Sequence, residues 1–183
     1  MKPTDDLKEE HHAVKLMLNI MDGICIDIES GKEVKQEHLE DVVEFLKVFV
    51  DKCHHTKEEE YLFPAMEKED IPGLQDIIDP LLEEHEHGRR NVRKISEAVS
   101  GNMNSDDLST IVNSSRDYVE LMTQHINKEE NRLFPMADEH LAQKDQDNML
   151  KLFELVEIEK VGEGKHEEFH KLLHSLKDLY VRA

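Results

Sequence analysis

Apolar residues recur every three or four positions through four long stretches of the chain, which is the spacing of one face of an α-helix. In the first stretch the apolar residues of this face are Leu7, Val14, Leu18, Met21, Cys25 and Ile28. His11 fills the gap in that series, so a histidine is predicted on the inward face. Thr4 is the predicted N-cap, acidic residues follow it in the first turn, and Gly31 is the predicted stop.

Three further stretches repeat this pattern. The second helix is predicted to begin near Lys35 and to run to about Pro64. The third is predicted to begin at Asp79-Pro80, an N-cap followed by proline, with a short helical turn before it over residues 73–78, and to end at Gly101. Ser105 is the predicted cap of the fourth. The inward face of the third helix is Leu81, His85, Gly88, Val92, Ile95 and Val99; that of the fourth includes Ile111, Ser115, Tyr118, Met122, His125 and Glu129.

Short connections between long amphipathic helices make antiparallel neighbours. The sequence therefore predicts an all-α fold, an antiparallel up-down four-helix bundle over residues 1–140. Two more helices, about 145–159 and 165–181, are separated at Gly162 and Gly164 and form a C-terminal extension of the same domain, residues 141–183. A stripe in the last helix is predicted to pack this extension against the bundle: Phe169, Leu172, Leu173 and Leu176.

One motif is written twice. Residues 54–64 read HHTKEEEYLFP and residues 125–135 read HINKEENRLFP. The triplet EEH also occurs twice, at residues 9–11 and 83–85, each about forty residues before its copy of the longer motif. The repeating unit is therefore one helical hairpin, and two such hairpins related by a pseudo-two-fold axis would build a site at the bundle centre.

Helix geometry brings four histidines to one level. His11, His54, His85 and His125 each lie about twenty residues from the turn of their hairpin. At about 1.5 Å per residue, all four are about 30 Å from the turns and therefore at the same height. Glu58 and Glu129 follow their histidines by four residues, one turn along the same face.

Imidazoles and carboxylates at one depth of an apolar core require a cation, because an unpaired buried carboxylate is very costly. Six ligands are too many for one tetrahedral zinc ion but suit two first-row metals bridged by two carboxylates. We predict two non-haem iron ions with an oxo or hydroxo bridge, since iron accepts mixed imidazole and carboxylate ligands; manganese or zinc fits less well. The predicted ligands are His11, His54, Glu58, His85, His125 and Glu129.

These ligands and the doubled Leu-Phe-Pro motif resemble the hemerythrin HHE cation-binding family over roughly residues 7–137. Four histidines and two glutamates resemble in particular the di-iron proteins of iron–sulfur-cluster repair, the RIC type. The oxygen-carrying hemerythrins have a fifth histidine one turn after the third-helix histidine, where this chain has Arg89. The resemblance therefore implies a more open site and argues against simple oxygen carriage.

A ferritin-like di-iron scheme is one alternative. It would use Glu9 with His12 and Glu84 with His87, together with the two central glutamates. This scheme leaves His54 and His125 unexplained and moves its ligands off the inward faces. We therefore expect His12, His87 and also His55 to be solvent-exposed histidines.

A zinc hydrolase is a more remote alternative, because residues 166–170 read HEEFH, the H-E-x-x-H pattern of zinc proteases. Only thirteen residues follow it, and His174 lies one further turn along the same helix, where it does not easily complete a tetrahedron. A solvated amphipathic helix is the preferred interpretation.

Composition limits the remaining choices. A net charge of −19 over 183 residues argues against nucleic acid and anionic membrane surfaces as partners. No apolar run approaches the roughly 18 residues of a membrane span, and MKPTDDLKEE is not a signal peptide. Two cysteines are too few for a disulfide framework, so a cytoplasmic location is expected, with Cys53 a small buried hydrophobe.

The function expected from the sequence is binding of O2, NO or peroxide at the iron pair, in sensing, storage or a stress response. A redox enzyme and an iron donor for cluster repair remain open as alternatives, and so does the question of enzymatic activity. Tyr61 and Tyr118 lie seven residues from a predicted ligand, where they either border the metal pocket or, as favoured, pack in the core. A monomer or weak homodimer is expected.

Overall fold

A computed structural model describes residues 1–182, and these form six helices. Helix α1 is Pro3–Glu29 and α3 is Gln75–Val99. Helix α2, residues 36–67, is α-helical over Gln36–Phe45 and Phe63–Glu67 and π-helical over Leu46–His55 and Lys57–Leu62. Helix α4, residues 105–140, is Ser105–Lys128, a π-helical turn Glu129–Leu133, and Phe134–His140. Helix α5, residues 143–161, is Gln143–Val156 continued by a π-helical turn Glu157–Val161, and α6 is Lys165–Tyr180.

The bundle is all-helical and runs up, down, up and down, as predicted. Two apolar clusters stand one above the other along its axis. In α1 and α3 the residues that precede the histidine in sequence lie in the lower cluster, as Leu7 and Leu81 do. The residues that follow it, such as Val14 and Val92, lie in the upper cluster. In α2 and α4 the residues that precede the histidine lie in the upper cluster, and the leucine and phenylalanine of the Leu-Phe-Pro segment that follows it lie in the lower cluster. The four predicted histidines therefore occupy the layer between the clusters.

Two N-caps differ from the prediction, and in α1 a tertiary contact uses the expected residue. Helix α1 begins at Pro3 with Lys2 as its N-cap, and the Thr4 hydroxyl donates to Asp138 of α4 at 2.6 Å. Helix α4 is capped by Asn104, whose side-chain oxygen accepts from the Asp107 backbone N–H at 2.9 Å. Each of these two helices still begins within two residues of the predicted position.

The third helix begins five residues before the predicted start. Asp79 is not its cap: helix α3 starts at Gln75 and continues through Pro80. Ile77 and Ile78 are buried in the same lower cluster as Leu81, so the predicted separate turn over residues 73–78 is the first part of α3. Packing of this continuous face outweighs the loss of one hydrogen bond at the proline.

The repeated motif coincides with the π-helical parts of α2 and α4, which the sequence patterns did not reveal. In a π-helix the backbone hydrogen bond spans five residues, so a turn holds more than the roughly 3.6 residues of an α-helix. Successive side chains consequently rotate by a smaller angle around the axis. π-helical turns of this kind occur frequently at functional sites.

The C-terminal helices lie against the bundle, and they begin and end close to the predicted residues. The link between α5 and α6 contains Gly162 at φ 107° and Gly164 at φ 79°, a backbone region that favours glycine. Helix α5 adds Met149 and Phe153 to the lower cluster, and α6 adds Phe169 to the upper one. No helix within residues 1–182 is both long and apolar enough to cross a membrane.

Candidate metal centre

The six predicted ligands lie together between the two apolar clusters. Each is at most 3 % exposed: His11, His54, Glu58, His85, His125 and Glu129. Their ligand atoms fall into two groups, in each of which all atoms lie within 4.8 Å of one another. One group contains His11 and His54, the other His85 and His125, and Glu58 belongs to both.

Each central carboxylate contacts both hairpins. Glu58 Oε1 lies 3.5 Å from Nε2 of His54 and 3.4 Å from Nε2 of His85. Glu129 Oε1 lies 3.2 Å from Nε2 of His11 and 3.3 Å from Nε2 of His125. A carboxylate shared between two imidazole pairs in this way is placed to bridge two cations.

Several donor atoms at the centre have no hydrogen-bond partner within residues 1–182, which suits the binding of a metal ion. All four carboxylate oxygens of Glu58 and Glu129, and Nε2 of His11, are buried without a hydrogen-bond partner among the described residues. Burial, and then the neighbouring Glu129, raise the pKa of Glu58 well above its ordinary value. Cations would satisfy both carboxylates in their charged form.

The outer ring nitrogens are held by a second set of carboxylates. In each case Nδ1 faces a glutamate oxygen, which leaves Nε2 directed towards the centre. The pairs are His11–Glu130 at 3.0 Å, His54–Glu10 at 3.1 Å, His85–Glu59 at 2.8 Å and His125–Glu84 at 2.9 Å. Metal-binding histidines typically have such a partner, because it fixes the tautomer and ring orientation and makes the ligand more basic.

This arrangement explains the repeated His-x-x-Lys-Glu-Glu motif. The glutamates before the first histidine of each hairpin, Glu10 and Glu84, hold the second imidazole of the same hairpin. The second glutamates of the motif, at 59 and 130, hold an imidazole of the other hairpin. The lysines of the motif, Lys57 and Lys128, pair with Glu10 and Glu84. The sequence contained this signal as the twice-written EEH and KEE triplets.

His55 contradicts its predicted exposure. It is 4 % exposed, and its ring stacks on His85 with the centroids 3.8 Å apart. A ligand atom of His55 lies within 4.8 Å of those of Glu58, His85 and His125, so a fifth imidazole joins this half of the centre. Its Nδ1 lies 3.3 Å from Asp51. The prediction failed because it assumed α-helical rotation, whereas α2 is π-helical at this point.

The fifth imidazole also breaks the repeat, since the corresponding residue of the second hairpin is Ile126. Burial, and then the nearby His85, lower the pKa of His55 well below its ordinary value. His55 is therefore neutral at physiological pH, the form that binds metals.

The alternative ligand schemes disagree with the geometry. Glu9 and His12 are exposed, and His87 lies at the surface with its Nε2 2.7 Å from Asp117, so a ferritin-like set does not converge. In the H-E-x-x-H helix, His170 is exposed while His166 turns inward to Cys53, with Nε2 3.6 Å from the sulfur. The residues of that pattern are not arranged to bind one zinc ion together.

A cavity of about 190 Å³ between α2 and α3 reaches the centre at His55. Its walls include Val50, Val92 and the buried Tyr118, whose pKa is raised by burial. Gly88 also lines it, and a Cβ at this position would stand 3.1 Å from Met122 Cε. Arg89, expected to mark a more open site, lies at this cavity and pairs with Asp51 and Glu59.

An antiparallel bundle of two hairpins with paired imidazoles and shared carboxylates at its centre defines a class of helical metal-binding proteins. Residues 2–137 match the family described as hemerythrin HHE cation binding domain, and the chain belongs to that family.

Similar proteins occur in mycobacteria. One from Mycobacterium bovis and two from strains of Mycobacterium tuberculosis, all described as uncharacterized proteins, are 23 % identical to this chain over 162 residues. The alignments cover 87 % of this chain and 63 % of each relative, so the chain spans less than two thirds of the length of these relatives. No solved structure matches the chain significantly.

Proposed function

We propose that the protein is a cytoplasmic di-iron protein that binds O2, NO or peroxide in sensing, storage or a stress response. The observation that carries this proposal is that Glu58 and Glu129 each face imidazoles of both hairpins, within 3.2–3.5 Å. That arrangement supports two metal positions that share two carboxylates. The free, buried cysteines Cys25 and Cys53 are consistent with a reducing compartment.

The donor sets of the two positions differ. His11 and His54 would hold one ion, while His55, His85 and His125 would hold the other, with both glutamates shared. Iron bound in this way supplies reversible binding of a diatomic ligand or one-electron redox chemistry.

The surroundings favour a small ligand. The centre lies between two apolar clusters, and a cavity of about 190 Å³ ends at His55. A void of this size admits a few water-sized molecules, whereas a larger organic substrate would require the helices to separate.

Metal analysis and optical spectra of anaerobically reconstituted protein test the proposal. We expect two iron ions per chain, and new absorption bands on addition of NO or O2. Glu58→Gln should lower the iron content, because a neutral amide does not balance the charge of two cations. Glu60→Gln, at an exposed position two residues further along α2, is the matched control.

Two results would contradict this function. One is a single tightly bound zinc ion with no iron uptake; the other is full iron binding by the Glu58→Gln protein. Iron uptake without any spectral response to NO, O2 or peroxide would retain the metal centre but reject ligand binding.

A further inference from the structure

A buried ammonium group lies beside the metal centre. Lys57 is 0 % exposed, and its Nζ is 2.9 Å from Asp6 Oδ2, 2.9 Å from Glu10 Oε2 and 2.8 Å from Glu157 Oε1. The same nitrogen stands 5.3 Å from the centroid of the Phe153 ring. Glu157 and Phe153 belong to α5, outside the residues 2–137 that match the family.

This group is connected to the metal centre through one side chain. Glu10 uses Oε2 for Lys57 and Oε1 for Nδ1 of His54, the latter at 3.1 Å. Cys53 also donates its S–H to Glu10 Oε2 at 3.5 Å. The path from α5 to a predicted metal ligand is therefore Glu157, Lys57, Glu10 and His54, with every contact at hydrogen-bond distance.

The second hairpin provides an internal comparison. There Lys128 pairs with Glu84, and Glu84 holds Nδ1 of His125, so the same three roles are filled. The side chain of Lys128 is 42 % exposed, whereas that of Lys57 is completely buried under α5. An ion pair open to solvent is screened and contributes little, while a buried one is strongly coupled to its neighbours.

The carboxylates around Lys57 belong to an ammonium site. Glu10, Cys53, Glu157 and His166 have ligand atoms within 4.8 Å of one another, which is the spacing of a metal site. However, the Lys57 ammonium already supplies positive charge to both of these glutamates. Their charge serves to hold a buried lysine in place.

We propose that Glu157 is a positioning residue of the metal centre and that it acts through Lys57 and Glu10 on His54. Without the Glu157 charge, the positive charge of Lys57 would be less compensated, and the lysine would move towards Glu10. The Glu10 carboxylate is shared between Lys57 and the His54 imidazole, so this movement would change how Glu10 holds His54. The C-terminal segment would thereby make the two metal positions unequal in affinity. This inference rests on the proposed two-metal centre.

Glu157→Gln tests the inference, with Glu159→Gln, an exposed residue of the same helix, as the matched control. The protein is loaded with Co²⁺, and release of each metal equivalent is followed by chelator competition. We expect one of the two equivalents to be released more readily in Glu157→Gln, by at most the roughly 10- to 100-fold typical for loss of a ligand's direct hydrogen-bond partner, because Glu10 itself remains. In a paramagnetic NMR spectrum the His54 Nδ1–H signal should move while that of His125 stays.

Two further variants separate positioning from packing. Met149→Ala, in the lower cluster, removes packing of α5 without changing the charges, and should lower the thermal midpoint while leaving both metal affinities nearly unchanged. Lys128→Met removes the exposed lysine of the second hairpin and should weaken metal binding less than Lys57→Met does. If Glu157→Gln does not fold, Glu157→Asp is measured in its place. Its side chain is one methylene shorter, so the carboxylate lies further from Lys57.

The inference is wrong if Glu157→Gln or its replacement retains both metals with wild-type affinity. It is equally wrong if both equivalents weaken alike, or if Met149→Ala reproduces the effect. A wild-type protein that binds fewer than two metals would instead reject the proposed function, so the two failures are distinguishable.

Discussion

Each outer carboxylate at the centre is paired with a cation. The pairs are Glu10 with Lys57, Glu59 with Arg89, Glu84 with Lys128 and Glu130 with Lys15. Lys57 and Arg89 are shared with further carboxylates, whereas Glu58 and Glu129 have no lysine or arginine partner among the described residues. These two central carboxylates would compensate part of the charge of two metal cations, as buried charges require. Arg89 has a function among these pairs that its position in the sequence did not reveal.

At the residue scale, side-chain directions that follow from helical periodicity were predicted from the sequence. Pairs of side chains that meet only in three dimensions were missed. His11 and His85 interrupt regular apolar series, so their inward direction was evident. The outer glutamates were not identified, because Glu59 and Glu130 pair across the hairpins, with residues distant in the sequence. His55 was assigned to the wrong face, because a helical wheel cannot register a change to π-helical rotation.

His55→Ile tests the fifth imidazole, since the second hairpin has isoleucine at the same position and the replacement preserves an apolar contact. We expect the variant to fold but to bind its second metal at least about 10-fold more weakly, because losing a ligand should cost no less than losing a ligand's partner. Chelator competition on the metal-loaded protein measures the change.

His12→Ala is the matched control, because His12 is exposed on α1 and should be neutral. Unchanged affinity for both metals in the His55→Ile protein would show that this imidazole only packs against His85.

At the scale of the helices, amphipathic spacing located every element of the bundle, whereas the caps and local helix type were less accurate. Thr4 and Ser105 are good N-cap residues, but Thr4 bonds to Asp138 and Asn104 caps α4 instead. Such choices are worth only about 1 kcal/mol, so tertiary contacts readily override them. The close approach between α1 and α6, which occurs at Gly23, was likewise not predicted from the sequence.

Gly23→Ala tests that approach, because a Cβ on Gly23 would stand 2.0 Å from the backbone oxygen of Tyr180 at the end of α6. Alanine favours the helix by about 1 kcal/mol, but overpacking against backbone costs about 1–3 kcal/mol. The net cost is therefore up to about 2 kcal/mol, and we expect a thermal midpoint lowered by up to about 8 °C, at about 2–4 °C per kcal/mol for a protein of this size.

Hydrogen exchange in residues 165–180 should show weaker protection in the same variant. Asn19→Ala, exposed on α1, makes the same gain in helix propensity without the contact and should not lower the midpoint. A Gly23→Ala protein as stable as the wild type would show that α6 can shift away from α1 at no cost.

At the scale of the whole molecule, a polar layer separates two apolar clusters in a chain of net charge −19. The metal-free protein must keep the carboxylates of Glu58 and Glu129 buried without a hydrogen-bond partner among the described residues, together with five buried imidazoles. The unfolded chain has none of these constraints. Metal binding and folding should therefore be strongly coupled, as in other buried metal sites.

Removal of the metal should for this reason lower the stability of the whole domain, including α5 and α6. At a free metal concentration about 1,000 times the Kd, binding to the native state alone contributes about 4 kcal/mol per site. For a protein of this size that amounts to a thermal midpoint higher by about 8–16 °C. Calorimetry with and without a chelator measures the difference, and Glu58→Gln should show little of it. The difference should also shrink as the pH falls, because protonated imidazoles and carboxylates do not bind metal. A protein that holds its metals yet melts at the same temperature after their removal would place those metals outside the bundle centre.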